Sequence, residues 1–424
     1  MSWALIVFAL ALLGYAVVSR RLSGSVVTAP MVFLGVGIVA GVAAPDLSLR
    51  PEAEGLELLA EATLTVVLFA DASRIDLARL RVGWGVPTRL LGVGLPLTIV
   101  LGALVALAIA PDLLLLEAFV LAICLAPTDA ALGQAVVSDE RVPVRVRQGL
   151  NVESGLNDGI CVPLLLIALA LAGSEAGDIA LGDALRILVD QIGWGVAAGL
   201  GAGGLGAVAV RTGWGAGSMS AGWRRIATAG TALLAYGLAL ALGGSAFIAA
   251  FVAGMVFGVL LRAAARDPDE TTGFIEDVGA FLGAATFLAF GAAVVVPFAG
   301  EVTPGQIVVA ILALTVVRMA PVALAMVRSE AAAPTVAFLG WFGPRGLASI
   351  VFAIIVVHDG AELPGVRMIV LTIAVTVCLS VVAHGLTAGP LARRYGNWFT
   401  AARLARPDLM ESADVPDQRS RWPA

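Results

Sequence analysis

Long apolar runs separated by short polar stretches extend along almost the whole chain. Thirteen runs approach or exceed the length of about 20 apolar residues that a helix needs to cross a bilayer. They are residues 2–19, 25–44, 56–73, 86–110, 113–137, 148–173, 180–210, 222–243, 245–262, 275–298, 304–327, 332–357 and 366–390. Because a backbone in lipid must satisfy its own hydrogen bonds, each run is predicted to be helical. The pattern predicts an all-α polytopic membrane protein of about thirteen segments, numbered here in chain order.

Composition excludes an ordinary soluble protein. Hydrophobic residues make up 59% of the 424 residues and charged residues 13%, against roughly 25% charged in typical soluble proteins. All 26 basic residues are arginines and the net charge is −5, so no nucleic-acid partner is expected. The three cysteines lie inside apolar runs without metal-ligand spacing. Membrane lipid is the expected surrounding, and no cofactor is expected.

Arginines collect on one side of the predicted membrane. They follow segments 1, 3, 5, 7, 9, 11 and 13, whereas the intervening loops are mainly acidic. By the positive-inside rule, the N-terminus is predicted to lie outside and the C-terminus in the cytoplasm. Residues 392–424 are predicted to form a short cytoplasmic tail, solvated from about Asn397 onward.

Five ionisable residues lie well within apolar runs, where a charge costs at least a few kcal/mol and marks function by default. They are Asp129 in segment 5, Glu153 and Asp158 in segment 6, Arg318 in segment 11 and Arg345 in segment 12. Three acids and two bases leave one negative charge over. That excess charge suits a cation or a proton.

Segments 5 and 12 each contain a proline interruption beside a charge. The interruption reads APTD at 126–129 and FGPRG at 342–346, and proline removes a backbone donor. Segments 5 and 12 are separated by an odd number of crossings, so they run through the membrane in opposite directions. Paired broken helices in inverted positions are the best sequence indication of a transporter's binding site. A simple proline kink is the alternative for either break alone.

The polar residues of segment 6 share one face, because a spacing of four returns to the same stripe of a helix. Glu153 and Arg318 fall at similar depth and are expected to pair. Asp129 is expected to meet either Arg345 or the exposed amides of the breaks. Arg345 is expected to face a carboxylate or the ends of the broken helices. This assignment leaves Asp158 as the carboxylate available for an ion.

Asp158 is therefore predicted to bind a proton and a monovalent cation in turn. Burial favours the protonated form of a carboxylate, whereas a nearby cation favours the ionised form. A hard monovalent ion prefers oxygen ligands, which Asp158, Ser154, Asn157 and the backbone carbonyls near Thr128 offer. The alternative, for Asp158 and for Asp129, is a structural polar network that only joins helices.

Three motifs in this order resemble the monovalent cation/proton antiporter-1 family, especially its bacterial and archaeal sodium/proton branch. They are APTDA at 126–130, ESGLNDG at 153–159 and GPRGLAS at 343–349, and Arg318 lies in the segment before the last motif. The resemblance spans segments 1 to 13. It implies inverted repeats and a homodimer in a bacterial plasma membrane. It also implies a scaffold (residues 1–85 and 175–300) against which a transport bundle (86–174 and 301–391) moves.

The resemblance further implies a secondary active antiporter that exchanges a monovalent cation, expected to be sodium, for a proton and serves pH homeostasis. Ion ligands carry over to Asp158, Ser154 and Thr128, with Asp129 as polar support. The Asn157–Asp158 pair implies electroneutral exchange. A potassium/proton antiporter is the first alternative and a cation channel the second. An enzyme is not expected, because the sequence shows no nucleophile and base set.

One position departs from the family pattern. Many members carry a glutamate in a Phe-Glu-Gly-Gly setting on segment 3, whereas this chain reads FADAS at 69–73. The carboxylate of Asp71 lies one position later, which rotates it by about 100° around a helix. Asp71 either reaches the ion path from a different angle or only lies at the cytoplasmic end of segment 3. The preference among sodium, potassium and lithium stays open.

Overall fold

Helices coincide with all thirteen apolar runs. The computed structural model describes residues 2–22, 25–44, 54–75, 85–129, 132–137, 139–176, 181–262, 269–360, 363–406 and 409–412. The continuous helices are α1 (Ser2–Leu22), α2 (Ala29–Ala43), α3 (Glu54–Arg74), α6 (Val144–Ala176), α7 (Leu181–Gly215), α8 (Ala221–Leu242), α9 (Ala246–Arg262) and α13 (Val366–Ala405). The interrupted helices are α4 (Gly85–Arg89 and Leu95–Ile109), α5 (α5a, Leu115–Cys124; α5b, Gln134–Val137), α10 (Asp269–Phe290 and Val296–Phe298), α11 (α11a, Pro304–Leu314; α11b, Val316–Ala325) and α12 (α12a, Ala333–Trp341; α12b, Leu347–Asp359).

The all-α membrane fold is confirmed. Within the described ranges no β-strand occurs, and eight helices are long and apolar enough to cross a membrane. Four shorter apolar helices accompany them. The number of crossings and the orientation stay predictions.

Local sequence signals set several helix ends. The hydroxyls of Thr28, Ser220 and Thr303 accept hydrogen bonds from backbone N–H groups in the first turns of α2, α8 and α11a. Such caps satisfy donors that a helix start leaves unpaired. Gly243 ends α8 in the left-handed conformation, with φ 74°, which glycine adopts without steric cost.

The two predicted breaks are present, and the structure adds others. In α11 the interruption falls at Thr315, whose hydroxyl donates to Ile311 O at 2.6 Å. Such bonding of Thr to the preceding turn often bends a helix, but the sequence pattern does not reveal it. Stretches of π-helix, Leu90–Gly94 in α4 and Gly291–Val295 in α10, end two residues before Pro96 and Pro297. Proline supplies no N–H to the turn before it.

The helix of segment 13 runs past the predicted end of that segment, and the chain beyond Asn397 is mostly exposed up to Arg406 but buried again at Met410 and Glu411. Helix α13 continues to Ala405, because its extension carries aromatic side chains that pack inward. Tyr395 stacks on Phe338 of α12a with ring centroids 4.2 Å apart. Beyond the helix, Glu411 is 3% exposed. Residues 413–424 lie outside the described part of the chain.

Glu411 attaches the end of the described chain to α12a. Its carboxylate accepts hydrogen bonds from Ala332 N at 2.9 Å and from the hydroxyl of Thr335. On the opposite side, Arg145 of α6 donates to Met410 O at 3.3 Å. A carboxylate suits this place because the N-terminus of a helix carries partial positive charge. Polar composition alone does not distinguish such a cap from a solvated tail.

Glycines let α7 lie directly against α9. A Cβ built at Gly195, Gly199 or Gly203 would fall within 3 Å of backbone carbonyl oxygens between Ser245 and Ala253. The spacing of four places these glycines on one stripe. Small residues at such a stripe permit close approach of backbones in membranes. These glycines therefore serve the close packing of α7 against α9.

The packing predicts a position-specific effect for Gly203→Ala. The added Cβ would lie 2.5 Å from Ala253 O, and overpacking of this kind costs about 1–3 kcal/mol. We expect a lower Tm in detergent-solubilised thermal unfolding. Gly204→Ala is the matched control, because nothing lies within 4 Å of its Cβ position and Ala favours a helix by about 1 kcal/mol. Equal shifts for both variants would contradict the packing.

Candidate functional site

The interruptions of α5 and α12 meet each other. Asp129 N donates to Pro344 O at 2.7 Å, so the two unwound segments share a backbone hydrogen bond. Arg345 N donates to Ser380 Oγ of α13 at 2.6 Å. Ser349 Oγ of α12b donates to Cys124 O at 2.7 Å. Side chains and the opposite segment therefore satisfy backbone groups that the breaks release.

Arg345 binds the carboxyl-terminal end of α5a. Its side chain is fully buried, and its guanidinium donates to Ala126 O and to Pro127 O, the latter at 3.0 Å. Both carbonyls belong to the unwound segment that directly follows α5a, which ends at Cys124, and the carboxyl-terminal end of a helix carries partial negative charge. Of the two expectations for Arg345, the structure shows the one in which it faces the end of a broken helix.

Asp129 makes the reciprocal contact. Its carboxylate accepts from Leu347 N, the first residue of α12b, at 2.8 Å and from Leu132 N at 3.4 Å. The amino-terminal end of α12b carries partial positive charge, which favours a carboxylate. A Cβ at Gly346 would collide with this carboxylate. Of the two contacts expected for Asp129, the structure therefore shows the one with the exposed amides of the breaks.

Glu153 and Arg318 form a buried ion pair. The two carboxylate oxygens of Glu153 lie 2.5 and 2.8 Å from the two terminal guanidinium nitrogens of Arg318, and both residues are 2% exposed. Arg318 also donates to Leu339 O at 3.4 Å. The pairing expected from equal depth is therefore present, and it joins α6 to α11b and α12a.

Thr128 is bound to α6 at two points. Ser154 Oγ donates to Thr128 O at 2.5 Å, and Asn157 Nδ2 donates to Thr128 Oγ1 at 2.8 Å. The Asn157 Oδ1 atom is buried and has no hydrogen-bond donor among the described residues. Buried polar atoms usually have a hydrogen-bond partner. This oxygen is therefore a candidate to accept a hydrogen bond from a protonated group or to coordinate a cation.

A cavity of about 310 Å³ leads to these residues. Its walls are mainly apolar side chains of α1, α2, α10 and α12b, and Asp129, Ser154 and Asp158 line it. Asp158 is 7% exposed. Three of the five residues predicted to bind the ion or proton thus face one cavity. Thr128 and Asn157 do not line the cavity. Thr128 is hydrogen-bonded both to Ser154, which does line it, and to Asn157.

Asp71 lies beside the candidate site without lining the cavity. It is half-buried on α3, and its Cβ is 3.8 Å from the position that a Cβ on Gly155 would occupy. Gly155 follows Ser154, so Asp71 packs on α6 next to the predicted ligands. It is also three residues from the end of α3 at Arg74.

Sequence reasoning missed several groups that shape the site. Ser349 and Ser380 hold the two breaks, and the Leu347 amide holds Asp129. Serines are common in apolar helices, and a backbone amide has no sequence signal. Asp277 of α10 lines the cavity as well; it lay near the end of a predicted segment, where a charge needs no explanation.

Two crossing broken helices, with opposite charges at their ends and a buried carboxylate nearby, define the class of secondary transporters with discontinuous helices. The chain belongs to the sodium/hydrogen exchanger family, since the family model described as "Sodium/hydrogen exchanger, transmembrane" matches residues 8–394.

Similar proteins include the K(+)/H(+) antiporter NhaP2 of Shewanella sp. strain MR-4, which is 26% identical over 228 residues, 54% of this chain and 39% of the relative. NhaP2 of Shewanella baltica strain OS223 is 24% identical over 383 residues, 89% of this chain and 62% of the relative. The chain thus aligns with less than two thirds of these relatives' length. The structure of the sodium proton antiporter MjNhaP1 from Methanocaldococcus jannaschii at pH 8 has a TM-score of 0.76 at 19% identity, covering 93% of this chain and 99% of that chain. That likeness shows a shared fold.

The ion pair predicts strong energetic coupling between Glu153 and Arg318. Glu153→Gln or Arg318→Gln leaves one buried charge without its partner, a loss of roughly 3–5 kcal/mol. We expect each variant to lower the Tm markedly and the swap Glu153→Arg with Arg318→Glu to recover part of it.

The exposed pair of Glu301 and Arg367 is the matched control, because their side chains are 39% and 64% exposed. Glu301→Gln should cost less than about 1 kcal/mol. Additive effects in a double-mutant cycle at Glu153 and Arg318 would show that the pair contributes no coupling.

Proposed function

We propose that this protein exchanges a monovalent cation, foremost sodium, for a proton across a bacterial plasma membrane. The observation that carries the proposal is the position of Asp158. This buried carboxylate lines a cavity beside the crossing of two broken helices. An acid in such a place binds a proton or a small cation.

Oxygen atoms around Asp158 supply the further ligands. The Ser154 hydroxyl donates its hydrogen to Thr128 O, so its lone pairs are available to an ion. Asp129 lines the same cavity. A sodium ion prefers oxygen ligands of this kind. In the proposed cycle the ion displaces the proton from Asp158, and a proton displaces the ion on the return.

The arrangement of fixed charges favours electroneutral exchange. Glu153 and Arg318 neutralise each other, while Asp129 and Arg345 bind opposite helix ends. With Asn157 uncharged, Asp158 is the carboxylate that changes partner in the proposal. One cation then replaces one proton, and the loaded site carries the same charge in both halves of the cycle.

Movement of a bundle against a scaffold would expose the site alternately to the two sides. In this proposal α4–α6 and α11–α13 form the bundle, and α1–α3 and α7–α10 form the scaffold. Close packing of α3 with α9 and α10, and of α7 with α8 and α9, is consistent with a rigid scaffold. We also propose a homodimer surrounded by lipid, as for the family that the motifs resemble.

Potassium is the second candidate substrate. The specific observation in its favour is the name of the relatives, K(+)/H(+) antiporter NhaP2, one of which aligns over 89% of this chain. The sodium proposal draws on the shared fold of MjNhaP1, a sodium proton antiporter. Both cations take oxygen ligands, so the residues of the site are the same in the two versions.

Reconstitution tests the role of Asp158. We expect purified protein in proteoliposomes to move protons when sodium, potassium or lithium is added, with one ion preferred. Asp158→Asn removes the exchangeable charge and should reduce the signal to that of empty liposomes. Asp190→Asn on the exposed face of α7 is the matched control and should retain full exchange. Full exchange in Asp158→Asn would refute the assignment.

Competition gives a second prediction. Because one carboxylate binds either partner, the apparent KM for the cation should rise by roughly tenfold for each unit by which the pH falls, once the proton-bound form predominates. An imposed membrane voltage should leave the rate unchanged. The measurement is proton flux against cation concentration at several pH values, with and without a potassium or proton diffusion potential. A KM independent of pH would exclude a shared site.

A further inference from the structure

A third carboxylate belongs to the cavity that reaches Asp158. Asp277 lies on α10 and lines the same cavity as Asp129 and Asp158. Unlike Asp158, which is buried, Asp277 is exposed. The cavity therefore runs from a buried carboxylate to one at the protein surface.

The neighbouring acid shows why Asp277 differs from an ordinary surface charge. Glu276 forms a bidentate ion pair with Arg74, with both nitrogen to oxygen distances at 2.5 Å. Asp277 has neither a hydrogen bond nor an ion pair with any residue in the described ranges. Glu276 is thus neutralised within the scaffold, and Asp277 presents its charge at the cavity.

The rest of the cavity lining is mainly apolar. It includes Phe33, Phe281 and Phe287, and apart from the carboxylates the side-chain oxygens on it are the hydroxyls of Tyr15 and Ser154. A cation that leaves bulk water therefore meets few oxygen ligands there. Apolar walls of low dielectric focus the field of a nearby charge and raise the local concentration of its counter-ion. An unneutralised carboxylate at the entrance would therefore increase the rate at which cations reach Asp158.

We propose that Asp277 is an entrance carboxylate that concentrates cations at the cavity leading to Asp158. The inference rests on the proposed cation/proton exchange and assigns Asp277 to substrate delivery, separate from ion binding. From the predicted orientation, α10 begins in the cytoplasm, so the entrance serves cytoplasmic cations. Because the effect acts through the electric field, salt must screen it.

Everted vesicles test this role, since cations added outside reach the predicted cytoplasmic face. Exchange is measured against sodium concentration for wild type, Asp277→Asn and Asp277→Glu. Choline chloride sets the ionic strength at 0.01 M, where the Debye length is about 30 Å, or at 0.15 M, where it is about 8 Å. We expect Asp277→Asn to raise the apparent KM about two- to fivefold at the lower ionic strength, with an unchanged maximal rate. The difference should shrink at the higher ionic strength, and Asp277→Glu should behave as wild type.

Glu330→Gln is the matched control, because Glu330 is an exposed acid on the same predicted side and does not line the cavity. It should leave the KM unchanged. A further variant, Asp277→Cys, separates charge from folding. Its thiol is converted with an anionic sulfonate or a cationic ammonium methanethiosulfonate, and only the anionic product should restore the low KM.

Each outcome decides the matter. An unchanged KM in Asp277→Asn at low ionic strength overturns the entrance role while exchange in the wild type stands. A fall in maximal rate, or a KM shift that salt does not diminish, indicates a structural role and also overturns it. Absence of cation-dependent proton flux in the wild type itself defeats the proposed function, and the entrance role with it.

Discussion

The exchange of helix ends between α5 and α12 is the contact on which the rest of the site depends. Arg345 binds carbonyls of the unwound segment just beyond α5a, and Asp129 binds the amide that begins α12b. Each unwound segment releases backbone groups within the membrane-spanning part of the chain, where an unsatisfied group costs several kcal/mol. Opposite charges at opposite helix ends resolve this cost for both segments together. The broken helices therefore stabilise each other, and neither is expected to persist alone.

The same contacts separate structural charges from the exchangeable one. Glu153 and Arg318 satisfy each other, and Asp129 and Arg345 have fixed partners in the backbone. These contacts hold α6 and Thr128 against the crossing, which positions Asp158 on the cavity lining. A carboxylate held by rigid neighbours can alternate between proton and ion without requiring its surroundings to refold.

The crossing is also tied to the far end of the chain. Glu411 caps the start of α12a, and Tyr395 of α13 stacks on Phe338 in the same helix. The other end of α12a leads directly into the segment that carries Arg345. The residues beyond the last apolar run are thus mechanically connected to the site, although their polar composition resembles that of a solvated tail.

The amino-acid sequence alone determined the membrane fold, the two principal breaks and the five charges that lie within apolar runs. Apolar runs and proline positions are local properties, and a charge within such a run stands out whatever surrounds it. Only the tertiary structure decided which partners those charges have. Arg345 could have met a carboxylate but binds carbonyls 219 and 218 positions away, and a contact of that range depends on how helices stack. The bend at Thr315, the capping role of Glu411 and the place of Asp277 at the cavity likewise arise from neighbours that no local pattern encodes.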